Sequence, residues 1–497
     1  MQSFLSLLLV ICLHSSAYNV FTHSFAFKSG KLRHKNAPDH FHPLKNQDST
    51  LVKRYSILAA VSGGENPNKN PKEIELKSTM PQSIFNLVKN IMGAGMLSLP
   101  AGVAAFSNRK SAVFPSTFII AFLGLLSAYT FSSLGKVCSE TGAESYEQAW
   151  SGSVSPKTSF IPATACVATC FAGVLAYTLI IGDTFQSLAL TFKLPAIVSS
   201  RTAMIGILST FVLLPLSLLK NLSALGFTSM LGSGGLLYTA FMMGLRYMDG
   251  SYSPGGKFYS LISPNALPTF GTKPPNPILF LVLVSMLGTA YEAHFNAPLF
   301  YKELKNNTMK RFNLMVYVSF IISIITMSAV TAFGFLTFGG SSAGFILNNY
   351  HSADKLATLA RIFVGFSIVF SYPLCFVGFR DGLMEMFGNK NQSEKLRKLW
   401  TVGLLGFVST VSIFLKDLGF VNSFGGALIA NGIIYVFPAV MFIASIKNKV
   451  RKEITKFTKN AKFEAFANYS IVGVGILMGV LGAVISVLES FFPHILS

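Results

Sequence analysis

The chain has 497 residues, of which 51% are hydrophobic and only 12% charged, with a mean hydropathy of +0.53. Soluble domains carry about twice that share of charge, which excludes a water-soluble globule and implies a polytopic membrane protein. The net charge of +20 does not point to nucleic acid, because the basic residues sort by side of the membrane.

Residues 1–26 read as a signal peptide-like leader. Phe4 to Leu13 is a ten-residue apolar run, too short to span a bilayer, and small residues follow it. Residues 27–71 read as a transit-peptide-like, disordered polar segment, whose only acids between 28 and 61 are Asp39 and Asp48. Cleavage after Ala17 or after Ala26 would leave an aromatic residue, Tyr18 or Phe27, at the head. This arrangement resembles the bipartite plastid-targeting presequences of algae with secondary plastids, and Ile57 to Ala60 is similar to a stromal processing site. A plastid envelope is implied, with endomembrane or vacuole as the alternative.

A bilayer core of about 30 Å needs about 20 apolar residues per helix. Eleven spans are predicted, at about 82–106, 113–135, 162–190, 202–219, 223–245, 277–300, 313–337, 357–379, 399–415, 420–445 and 468–492. Joined by short loops, they form one all-α integral membrane domain over 80–492. The alternating strands of a β-barrel are absent from the sequence. With the N-terminus on the inner side, 21 of the 32 Lys and Arg beyond residue 71 fall in inner segments and 10 in outer ones. That is the positive-inside pattern. The densest basic run, 447–462, then lies against anionic headgroups. Cys166 and Cys170, four apart on the third span without His or Asp beside them, read as small residues packing between helices. No metal site or disulfide framework is expected.

Two spans are faulty as helices. In the first, Gly93 and Gly95 sit at the centre, each costing about 1 kcal/mol relative to Ala, with Lys89 one turn before them. A break at membrane depth is tolerated only where it is buried in protein or lines a wet cavity. It offers free N–H groups and a half-helix N-terminus, which suit a carboxylate. Close helix packing would explain the glycines alone equally well. The sixth span carries Gly288, Glu292, His294, Asn296 and Pro298. Pro298 removes a donor and disturbs the carbonyl one turn earlier, and ionisable residues at this depth mark function. The interrupted spans are five apart, where an inverted five-helix repeat would place them, although the halves show no sequence similarity. Asp183, closing the third span, is either a proton site or an interfacial acid. Ser371, two residues before Pro373, either patches the proline break or is an ion ligand. Arg380 reads as a snorkelling anchor at the inner end of the eighth span.

"FNLVKNIMGAGMLSLP", "HFNAPLFYKELKNNTMKRF", "AFGFLTFGG", "FSYPLCFVGFR" and "GFVNSFGGALIANGIIYVFPA" occur in that order between residues 80 and 490. Together they resemble the amino acid/auxin permease family, nearest the sodium-coupled neutral amino acid transporters and their vacuolar plant and fungal relatives. The resemblance implies a LeuT-type inverted repeat with substrate between discontinuous helices 1 and 6. Carried over by position, the Gly93-Ala94-Gly95 amides would bind the amino-acid carboxylate. Asn90 and Tyr291 stand beside the breaks as further substrate contacts. His294 matches the family's histidine in helix six, and Ser371 falls where sodium-coupled members have a hydroxyl ligand. Two residues depart from the pattern. Lys89 replaces an asparagine, and Glu292 stands where those relatives are apolar. A Lys89–Glu292 pair across the cavity would replace sodium and make transport proton-coupled.

An enzyme would want clustered His and Asp, and five of the eight histidines lie at or before residue 42. No phosphate-binding GxxxxGK[ST] loop or repeated filter motif is present in the sequence. The expectation is therefore a secondary active transporter of small neutral amino acids, working by symport and needing no cofactor. In it, helices 1, 2, 6 and 7 move against a scaffold of 3, 4, 5, 8, 9 and 10. Its expected partners are the amino acid, H+ or alternatively Na+, and the lipid bilayer, with no nucleic acid, and the chain is expected to be a monomer. A transporter-fold sensor without net flux is the other alternative.

Overall fold

Apolar runs of the predicted lengths fold into helices, and the residues that break or cap them set the joints. The computed structural model describes residues 78–219, 226–271, 275–387, 393–451 and 459–495. The leader, 1–26, and the polar segment, 27–71, lie outside the described residues, as does 452–458 of the basic run.

Among the described residues sixteen α-helices follow in order: α1 (Met80–Ile91), α2 (Leu99–Phe106), α3 (Val113–Thr141), α4 (Tyr146–Ser153), α5 (Phe160–Thr191), α6 (Arg201–Leu208), α7 (Leu214–Leu218) and α8 (Gly226–Met248). Then come α9 (Phe280–Ala290), α10 (Ala297–Glu303), α11 (Met309–Phe338), α12 (Lys355–Met386), α13 (Glu394–Phe414), α14 (Leu418–Gly425), α15 (Phe437–Arg451) and α16 (Lys459–Phe491). Among the described residues, extended pairing is limited to two isolated bridges. Among the described residues, nine stretches are long and apolar enough to cross a membrane, and ten with Met80–Ile91 and Gly95–Phe106 taken as one span bent by 43°. At 23 residues, α8 matches the predicted fifth span in length.

Local chemistry explains the ends. Side chains of Ser145, Ser200, Thr308, Asp354, Ser393 and Asp417 accept from backbone amides in the first turns of α4, α6, α11, α12, α13 and α14. Gly142, at φ 68°, ends α3 in the left-handed conformation that glycine adopts without strain.

In the packing, α3 lies along α11, α5 along α12, and α8 against both α11 and α12. At the centre, α9 touches α2, α14 and α16. Between α5 and α12 the surfaces are small: a Cβ on Gly378 would lie 3.1 Å from Cys170 Sγ, and the Cys375 thiol donates to the Cys170 carbonyl at 3.4 Å. Cys170 thus packs between helices, as expected of it.

Arg380 corrects the sequence reading. It is 2% exposed and does not snorkel. Its guanidinium donates to Asp381 (2.9 Å), the Ser217 carbonyl (3.2 Å) and Thr401 Oγ1 (3.0 Å), binding α12 to α7 and α13. Interior acceptors satisfied the cation, so it had no need of water.

Both faces of the bundle are tied. Ahead of α12, the fully buried Asp354 takes two bonds from Arg246 (2.8 and 2.7 Å) and one from Tyr252 (3.0 Å). At the entry to α1, the Ser78 amide donates to the Glu303 carbonyl (2.7 Å) and the Lys305 amide to the Ser78 carbonyl (3.0 Å). This bridge joins the start of the first interrupted span to the end of the second.

Candidate functional site

The first break follows α1. The Gly93 amide turns back to the Ile91 carbonyl at 2.9 Å, and the chain resumes as a 3-10 turn over Ala94–Ser98. In that turn the Ala94 and Gly95 amides precede the first i→i−3 bond, made by Met96 to the Gly93 carbonyl (3.3 Å). Gly93 is in ordinary extended conformation (φ −94°, ψ −179°), and a Cβ there would meet nothing within 4 Å. The break therefore rests on low helix propensity and on Pro100 opening α2, not on a conformation reserved for glycine.

The second break repeats the design. Helix α9 stops at Ala290, a 3-10 turn covers His294–Asn296, and Pro298 lies in the first turn of α10. Pro298 thus starts a helix, where its missing N–H has no cost, rather than disturbing one already under way. The two breaks adjoin: a Cβ on Gly95 would lie 3.6 Å from Thr289 Cγ2 and 3.8 Å from Ala290 Cα. Asn422 of α14 locks them together. Its Nδ2 donates to Ser98 Oγ (3.0 Å), and its carbonyl accepts from Thr289 Oγ1 (2.7 Å).

The residues of the second break diverge. Tyr291, fully buried, donates to the Ile120 carbonyl of α3 at 2.9 Å. His294, also fully buried, places Nε2 3.0 Å from both the Ser127 carbonyl and Thr130 Oγ1 of α3. Since a carbonyl only accepts, Nε2 is assigned the proton, and Nδ1 is left as an acceptor without a partner among the described residues. Glu292 lies between them, half-buried, and its Oε1 accepts from Thr169 Oγ1 of α5 at 2.8 Å.

The other predicted residues fall in three places. Lys89 and Asn90, half-buried in the last turn of α1, make no side-chain hydrogen bond or ion pair among the described residues, and Lys89 is not paired with Glu292. Ser371 is half-buried within α12 and likewise unbonded. Asp183 stands apart from the breaks: Oδ1 accepts from Arg201 Nε (2.6 Å) and Oδ2 from Asn348 Nδ2 (2.9 Å), while Arg201 also donates to the Ser412 carbonyl. This is the geometry of a joint between α5, α6 and α13.

Thr169, Thr130 and Asn422 were missed by the sequence reading. A hydroxyl on an apolar helix is a weak signal, since most bond their own backbone one turn back. Asn422 carried a stronger one, a carboxamide within an apolar span.

The chain matches the family model described as "Transmembrane amino acid transporter protein" over residues 76–488. It is 24% identical over 415 residues to the Mus musculus protein named "Putative sodium-coupled neutral amino acid transporter 11", covering 80% of this chain and 84% of that one. It is 23% identical over 389 residues to "Vacuolar amino acid transporter 5" of Schizosaccharomyces pombe, covering 77% and 88%. The solved structure "Inward facing conformation of Mhp1" aligns with a TM-score of 0.52 at 14% identity, covering 86% of this chain and 92% of that chain, a likeness of fold alone. With the family match running from the entry of the first span through nearly all of the last, and two adjoining broken helices at the centre, this multi-pass membrane protein belongs to the transmembrane amino acid transporter family.

Proposed function

We propose that the chain is a proton-coupled symporter of small neutral amino acids, with the substrate carboxylate on the Ala94 and Gly95 amides. The observation that carries this is the contact of the two breaks at Gly95 and Thr289–Ala290. A half-helix N-terminus concentrates donors and positive potential, which a carboxylate matches. Lys89 and Glu292 flank the breaks as the coupling candidates. In this state they are separate, and pairing between them would belong to another stage of the transport cycle. Ser371, the alternative ion ligand, makes a sodium-coupled carrier the second reading, which the name of the mouse relative favours.

Uptake of labelled neutral amino acids into proteoliposomes, with pH and sodium gradients imposed separately, tests both. Uptake driven by the pH gradient alone supports proton coupling, and a strict sodium requirement overturns it. For location we propose the plastid envelope, on the composition of residues 1–71. A fluorescent fusion of the full chain found on vacuolar membranes would instead follow the name of the yeast relative.

A further inference from the structure

Asn431 lies in the tenth span between two π-helical runs, Gly426–Ala430 and Gly432–Val436. It is 1% exposed, and neither Oδ1 nor Nδ2 has a hydrogen-bond partner among the described residues. A buried carboxamide with nothing bonded at either end is costly, and native interiors avoid it unless something else completes the site. Single π-turns within α-helices recur at functional positions. Here one lies on each side of the unpartnered group.

The runs on either side of Asn431 pack on the second broken span and on α16. Gly426, at the start of the first run, abuts the backbone of Ser285 and the hydroxyl of Thr289. A Cβ on Gly425 would lie 3.6 Å from Ala172 Cβ of α5. One turn back along α5 is Thr169, the partner of Glu292. The second run packs on the 3-10 turn His294–Asn296. In that run the Tyr435 hydroxyl is 3.1 Å from Ser127 Oγ, and the Ile433 carbonyl accepts from the Tyr146 hydroxyl at 2.7 Å. The Tyr435 and Tyr146 hydroxyls are satisfied, while Asn431, His294 Nδ1 and Ser285 Oγ have no partner among the described residues.

We infer that Asn431 is a substrate-binding residue of the tenth span. Its Oδ1 accepts from the ammonium, and its Nδ2 donates to the carboxylate, of a zwitterionic amino acid. A metal cation would engage only Oδ1 and leave Nδ2 bare, and a simple anion the reverse. A zwitterion presents both complements within one small group. The assignment rests on the transport reading above.

The test uses the full chain in proteoliposomes, measuring the concentration dependence of alanine uptake, and melting of the purified protein with and without alanine. Asn431→Leu keeps the branched heavy-atom shape and removes the polar atoms. The expected result is a KM raised roughly tenfold to hundredfold, an undiminished ligand-free melting temperature, and no rise in melting on adding alanine. A KM within about twofold of the original, with the alanine-induced rise retained, overturns the assignment. If Asn431→Leu does not fold, Asn431→Ser is judged by the same KM criterion. A wild-type protein that neither transports nor is stabilised by any neutral amino acid overturns the transport reading and this one with it.

Discussion

Thr169 Oγ1 donates a 2.8 Å hydrogen bond to Glu292 Oε1, linking a continuous helix to the break within the sixth span. Glutamine at 292 would still accept that bond but could not carry a proton. Glu292→Gln is therefore expected to abolish uptake driven by a pH gradient while preserving exchange of labelled for unlabelled amino acid. Gradient-driven uptake at the original rate would move the coupling site elsewhere.

His294 is held by helix α3 on the protonated edge of its ring and is wrapped by Phe131 and Phe320. Truncation to alanine removes buried bonds and leaves a cavity, at a cost of about 3 kcal/mol or more. His294→Ala should lower the melting temperature sharply while KM changes by less than about threefold. A tenfold rise in KM at unchanged melting would instead place the imidazole on the substrate.

Two glycines make opposite predictions. At Gly93 a methyl group enters open space, so Gly93→Ala should fold and keep measurable uptake. At Gly426 it would strike the Ser285 carbonyl, which as backbone cannot turn aside. Overpacking typically costs about 1–3 kcal/mol, and a backbone clash should exceed that. Detergent-solubilised yield and melting of the two variants decide the matter.

Asp354→Asn breaks the pairing with Arg246 at a fully buried carboxylate, a loss of about 3–5 kcal/mol for such pairs. In the loop beside it, burial and then the Asp354 charge push the Tyr252 phenol well above its ordinary range. The neutral phenol is the folded form. Its share of stability is complete below the unfolded value of about 10 and is lost as pH rises past it. Melting scans from pH 7 to 11 should show that decline, and Tyr252→Phe should reduce it.

Most of the predicted spans, nine or ten among the described residues, and both interruptions were legible because their causes are local. Bilayer thickness fixes the length of an apolar run, and glycine and proline act on the turn in which they stand. Legible too were the ionisable residues of the sixth span, since polar groups inside apolar helices are conspicuous in any sequence. Their partners were not. Thr130 and His294 are 164 positions apart, and Thr169 and Glu292 are 123 apart. Nothing in either local stretch specifies which helix will face it. The same limit explains Arg380: alone at the end of a span a cation should seek water, and only the arrival of Ser217 and Thr401 gave it acceptors in the interior. Sequence thus determined where the helices run and where they break. Tertiary structure decided which side chains meet, because a buried polar group takes its partner from whichever helix packing brings within 3 Å of it.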